Sequence, residues 1–155
     1  LMEGVGPFFS TDAHPLEEAD FTRGVQVIKA ALGDLLALYE QADEHQRTYK
    51  FLPHEWSARD VLMHVVETDL WYATRLRSMF DRKPDFDPPT DPIEAVHYAN
   101  AHVDDVMRDV FYNGRNGRFE NDFEEWTLRK LIRRRAAHLR EHYPQMLLAV
   151  RQRVK

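Results

Sequence analysis

Apolar residues recur at helical steps in four separate stretches of this chain. In residues 18–43 the repeating positions are Phe21, Val25, Ile28, Leu32, Leu35 and Tyr39, three or four apart; Gly24 and Gly33 weaken this helix without ending it. A second helix is predicted over 56–80, with Val61, Val65, Tyr72, Leu76 and Phe80 on its inward side. Ser57 suits the N-cap, and Asp60 stands three residues on as its capping partner. The Pro- and Asp-rich run "DRKPDFDPPTDP" then stops it. A third helix starts near Pro92, a good first-turn residue, and buries Ile93, Val96, Val103, Met107 and Val110. "YNGRNGRFENDFEEW" reads as a longer connection, because its Asn and Gly residues favour turns. Thr127 can cap a fourth helix running to about residue 154, with Leu128, Leu131 and Ile132 opening its apolar side. No stretch sustains the alternation of a β-strand. The pattern predicts an all-α chain, a four-helix bundle.

Composition narrows the picture. With 155 residues, the chain has the length of one domain, assigned here to 1–155, and 1–15 is expected to be a poorly ordered N-terminal segment. Leu1 before Met2 reads as a remnant of tagging or trimming, with Met2 the expected start. The opening "LMEGVGPFFSTDAHPLEEAD" has no basic region followed by an apolar run, so a secretory signal is not expected, and no apolar run is long enough to span a bilayer. There are no cysteines, so disulfides, thiolate metal sites and a cysteine nucleophile are excluded within the chain, and a cytoplasmic location is expected. The net charge of −5 argues against a general nucleic-acid binder. The basic run "RKLIRRR" at 129–135 is expected to be a solvated helix face.

The histidines carry the candidate chemistry. In "RRAAHLREHYPQM", His138 and His142 stand four residues apart, separated by about 40° around a helix and roughly 6 Å along it. They share an edge that continues through Leu128, Leu131 and Arg135 to Met146, so they sit on or beside the inward stripe. Such a pair can supply two nitrogens to one metal ion; each can equally be a core imidazole satisfied by a carbonyl or carboxylate. A third candidate, His64, lies beside Val65 in the inward stripe of the second helix. Antiparallel packing can bring the middles of these two helices together. Three neutral imidazoles would leave coordination positions open, as catalytic sites do.

At these residues the chain resembles the DinB-like superfamily. "WSARDVLMHVVETDLWYATRL" is similar to that superfamily's second helix, where a Trp-Ser turn precedes a central His. "TLRKLIRRRAAHLREHYPQM" is similar to its last helix, with the ending His-x-x-x-His-x-x-Gln. The resemblance implies a four-helix bundle and a divalent metal held by His64, His138 and His142. The ion would be zinc, nickel or ferrous iron, all suited to imidazole. Members include mycothiol-dependent maleylpyruvate isomerase and bacillithiol transferases. The resemblance therefore implies a thiol-dependent S-transferase, or a related isomerase or hydrolase, acting on a small-molecule substrate. A low-molecular-weight thiol would be the cosubstrate, and a homodimer is plausible by resemblance. No catalytic residue is assigned. Two other readings remain: a non-catalytic metal-binding stress-response protein, and a helical dimerisation scaffold without metal.

The neighbours of these histidines carry expectations of their own. Pro144 removes a backbone donor to Arg140 and should kink or end the helix there, tilting His142 and redirecting Gln145. Arg135 is expected to snorkel at the bundle edge, with anion binding as the sharper alternative. Glu67 and Asp69 are expected at the surface, or behind an imidazole as acceptors. Trp56, Trp71 and Tyr72 read as core or packing aromatics. His97 and Asn100 read as inward residues of the third helix; His14, His45, His54 and His102 read as solvent-side. One Glu-x-x-His, Glu94 to His97, is too few for a di-iron carboxylate site.

Overall fold

The computed structural model describes residues 7–78, 85–113, 118–121 and 124–151. Its elements are a 3₁₀ turn Ser10–Ala13, then α1 Glu18–Gln41, α2 Glu44–Thr48, α3 Ala58–Ser78, α4 Pro92–Tyr112, β1 Phe119–Asn121, β2 Glu124–Trp126 and α5 Leu128–Arg151. The chain is mostly helical, and α1, α3, α4 and α5 are the four stretches marked by the apolar periodicity. The start signals act as expected. The Asp60 N–H donates to Ser57 Oγ, and the Ser57 N–H donates back to Asp60 Oδ2. Pro92 opens α4 behind Asp91, which accepts from the Glu94 N–H. Thr127 Oγ1 accepts from the Lys130 N–H and caps α5.

One apolar core joins the long helices. Phe21, Ile28, Leu35, Val61, Val65, Tyr72, Leu76, Val96, Val103, Met107, Leu128 and Leu131 are all nearly inaccessible to water. Each such side chain stabilises the fold by about 1.5–3 kcal/mol relative to its exposed state. Val25 and Ile93 are only half-buried, and Phe80 lies outside the described residues. Helix α3 packs along α4, α1 along α5, and α3 also along α5, whereas α1 meets α4 at one end, where the Phe21 ring stacks on Phe111 at 4.4 Å.

Two elements went unread in the sequence. The connection before α5 contains an antiparallel hairpin that pairs Phe119 with Trp126, Glu120 with Glu125 and Asn121 with Glu124. Its strands are too short for alternation to register, and the anchor is Trp126, buried edge-on against Trp71 and Tyr72. Helix α2 is a single turn, boxed by Asp43 and Gln46, whose side chains each accept from the other's backbone N–H.

The basic run of α5 corrects a second expectation, because Lys130 is buried and Arg129 and Arg133 are half-buried and held in ion pairs. Lys130 is fully buried, donates to Glu124 Oε1 and the Glu125 carbonyl, and lies 4.1 Å from the Trp126 ring centre. Arg133 makes a two-pronged ion pair with Asp12, at 3.0 and 2.8 Å. Arg129 donates to the carbonyls of His14 and Pro15 and to Asp20. The N-terminal segment, expected to be loose over 1–15, is thus tied to α5 at several points; residues 1–6 lie outside the described residues.

Candidate metal centre

His64 on α3 and His138 and His142 on α5 converge as their spacing allows. His138 Nε2 lies 3.0 Å from His64 Nε2 and 3.0 Å from His142 Nε2. His138 and His142 are buried, and His64 is half-buried. Among the described residues, these three form the group of metal-ligand type, with donor atoms all within 4.8 Å of one another.

The donor set fits an ion better than it fits itself. A ring nitrogen has one in-plane direction, used either by a proton or by a lone pair. His138 Nε2 therefore cannot form good hydrogen bonds to both neighbours at once. Three nitrogens on a tetrahedral zinc, at about 2.0–2.1 Å each, stand about 3.3 Å apart. The two spacings to His138 Nε2, 3.0 Å each, are within about 0.3 Å of that. Zinc, nickel or ferrous iron would suit three imidazoles.

Pro144 does not stop α5, which runs unbroken to Arg151. That overturns an end at residue 144 and leaves His142 in register with His138. Gln145, one turn on, accepts from His142 Nδ1–H at 2.7 Å. This bond places the proton on Nδ1 and turns the lone pair of Nε2 toward the other two histidines, the usual outer support of a ligating imidazole.

Trp56, expected in the core or packed on the helices, lies outside the core and packs on histidines of α3 and α5. It is 39% exposed, and its ring centre lies 4.8 Å from His64 and 6.2 Å from His142, nearly parallel to the latter. It forms an aromatic wall beside the three nitrogens. The signal was its place immediately before the Ser57 cap, which fixes it at the mouth of α3 near His64.

Arg135 is the largest departure from expectation. It is fully buried, one turn before His138, and reaches no surface. Its guanidinium donates to Asp69 through Nε and Nη2 at 2.9 and 3.0 Å, to Asp104 at 3.0 Å and to Asn100 Oδ1 at 2.7 Å. Burial alone would favour the neutral form, but the charges and hydrogen bonds of Asp69 and Asp104 outweigh it and raise its pKa. Asp69, a candidate acceptor for an imidazole, is bound here instead, and Glu67 is exposed. The network ties the histidine-bearing α5 to α3 and α4.

His97, expected inward, is exposed on α4 and lines a cleft with Asn100. His14, His45 and His54 are exposed, and His102 is half-buried beside Tyr98 and Phe86. Among the described residues, no helix is long and apolar enough to cross a membrane. Comparison with protein-family models, curated proteins and solved structures finds no significant match to this chain.

Proposed function

We propose that the chain is a DinB-like four-helix bundle that binds one divalent transition ion through His64, His138 and His142. We further propose that it works as a metal-dependent enzyme on a small-molecule substrate, with a low-molecular-weight thiol as cosubstrate. The observation that carries the reading is the approach of His64 Nε2 and His142 Nε2 to the one Nε2 of His138, which that nitrogen cannot satisfy for both by hydrogen bonds. The absence of cysteine adds a condition: any thiol nucleophile must come from outside the chain.

An ion held by these nitrogens supplies Lewis acidity and lowers the pKa of a bound thiol or water. The chain's own residues do the rest. Gln145 fixes the ring of His142, and Arg135 holds α5 against α3 and α4, so the ligands keep their geometry. Trp56 shields one side of the site and offers an aromatic surface to an apolar substrate group.

Elemental analysis of tag-free protein tests the site, with His64→Ala and His138→Ala beside the wild type. About one equivalent of a transition metal in the wild type, absent from both variants, is expected for a single three-histidine site. No uptake after incubation with zinc, nickel and ferrous salts would reduce the protein to a helical scaffold. Loaded protein that consumes no thiol in the presence of an electrophile, and only melts higher, would make it a non-catalytic metal binder.

A further inference from the structure

Beyond the Phe21–Phe111 stack, helices α1 and α4 part and leave a cleft of about 600 Å³ between them. The three histidines belong to α3 and α5, which meet on the other side, so this cleft is separate from the metal centre. Its size is within the range of small-molecule pockets, roughly 300–1,000 Å³.

The cleft's surface is chemically divided. Its floor is apolar, built from the buried side chains Phe21, Ile28, Leu32 and Leu36. At its rim stand two exposed cations from facing helices, Lys29 of α1 and Arg108 of α4. Neither pairs with a carboxylate among the described residues. Asn100 adds a third donor: its Oδ1 is held by Arg135, which leaves its Nδ2 hydrogens available to a ligand in the cleft. Asp104 also lines the cleft, but it is bound by Arg135, which it shares with Asp69. Those two carboxylates and one guanidinium leave a single negative charge, against two cations at the rim.

We propose that this cleft is a second ligand site, for a small amphipathic anion. Lys29, Arg108 and Asn100 hold its carboxylate, and its hydrocarbon body lies on the apolar floor. An inorganic anion would leave that floor bare. A two-fold dimer closed over the cleft would gather the rim cations of both copies at one interface.

Gly33 provides a clean test. It lines the cleft, and a Cβ built there meets nothing within 4 Å. Gly33→Leu therefore fills the space without a clash, and it replaces a poor helix former with a good one. Octanoate is titrated into the full chain and followed by amide chemical shifts, once with zinc present and once with EDTA. The expected result is saturable single-site binding, independent of zinc, with shifts confined to α1 and α4. Lys29→Gln with Arg108→Gln should weaken octanoate about ten-fold or more, as should replacing it with 1-octanol. Gly33→Leu should abolish binding with no fall in melting temperature. Absence of saturation, equal affinity for the alcohol, or undiminished binding in Gly33→Leu would overturn the proposal. A dimer on gel filtration that Gly33→Leu dissociates would also overturn it, and would give the cleft to a second copy.

Discussion

Gln145 holds His142 through Nδ1, and that one bond decides which nitrogen faces the proposed ion. Gln145→Leu should leave the fold intact and weaken metal binding by about 10–100-fold, the usual effect of losing such a support. Competition against a chromophoric chelator measures it; unchanged affinity would show that the bond is incidental. Arg135 acts differently, through burial. Arg135→Met leaves Asp69 buried with no cation beside it, a loss of about 3–5 kcal/mol in urea unfolding. A cost under about 1 kcal/mol would mean that Asp69 takes up a proton or water when the guanidinium is gone. His138 and Arg135 lie on one stripe of α5, yet periodicity assigned them different environments. A polar residue in an apolar stripe is legible as unusual; its partners on α3 and α4 are not, because they come from distant parts of the chain.

At the scale of elements, the N-terminal segment depends on α5. Burial opposes ionisation of Asp12. The hydrogen bonds from Arg133 and the Phe9 N–H, with the charges of Arg133 and Lys130, outweigh that and hold its carboxyl below the ordinary range. Because the folded pKa is depressed, this contact stabilises the protein fully above the unfolded value of about 3.9. Its contribution is lost as pH falls through that value to Asp12's lowered one. Asp12→Asn should therefore cost about 1.5–3 kcal/mol at pH 6, with the gap to wild type narrowing as pH falls below about 3.9. Urea midpoints across that range check both parts, and a gap independent of pH would remove the ionic cause. The hairpin and the buried Lys130 are the other half of this assembly. Neither was readable locally, since Lys130 is neutralised by Glu124 and packed on Trp126, residues that only the hairpin brings to it.

For the molecule as a whole, the proposed metal binding would be linked to folding. An ion that binds the folded chain alone stabilises it by about 2.7 kcal/mol at a free concentration 100-fold above Kd. For a chain of this size that raises Tm by roughly 5–11 °C. Calorimetry with zinc and with EDTA should show the shift in wild type and none in His64→Ala. An equal shift in the variant would place the ion elsewhere. The three histidines come from two helices joined through a common core, so the proposed site forms only when α3 and α5 dock.

The four long helices, their capping residues Ser57, Asp91 and Thr127, and most of the core were determined by the sequence itself, because helix periodicity and capping act within a few residues. The edge shared by His138 and His142 is local in the same sense. Only the tertiary structure decided that His64 meets them and that Arg135 and Lys130 are buried as paired cations. It also decided that Trp56 walls the histidines, and that His97 faces a cleft where α4 and α1 part. Apart from Lys130, whose partners lie in the adjoining hairpin, each of these depends on which helix packs beside which, and that is settled by burying the combined apolar surface of elements far apart in sequence.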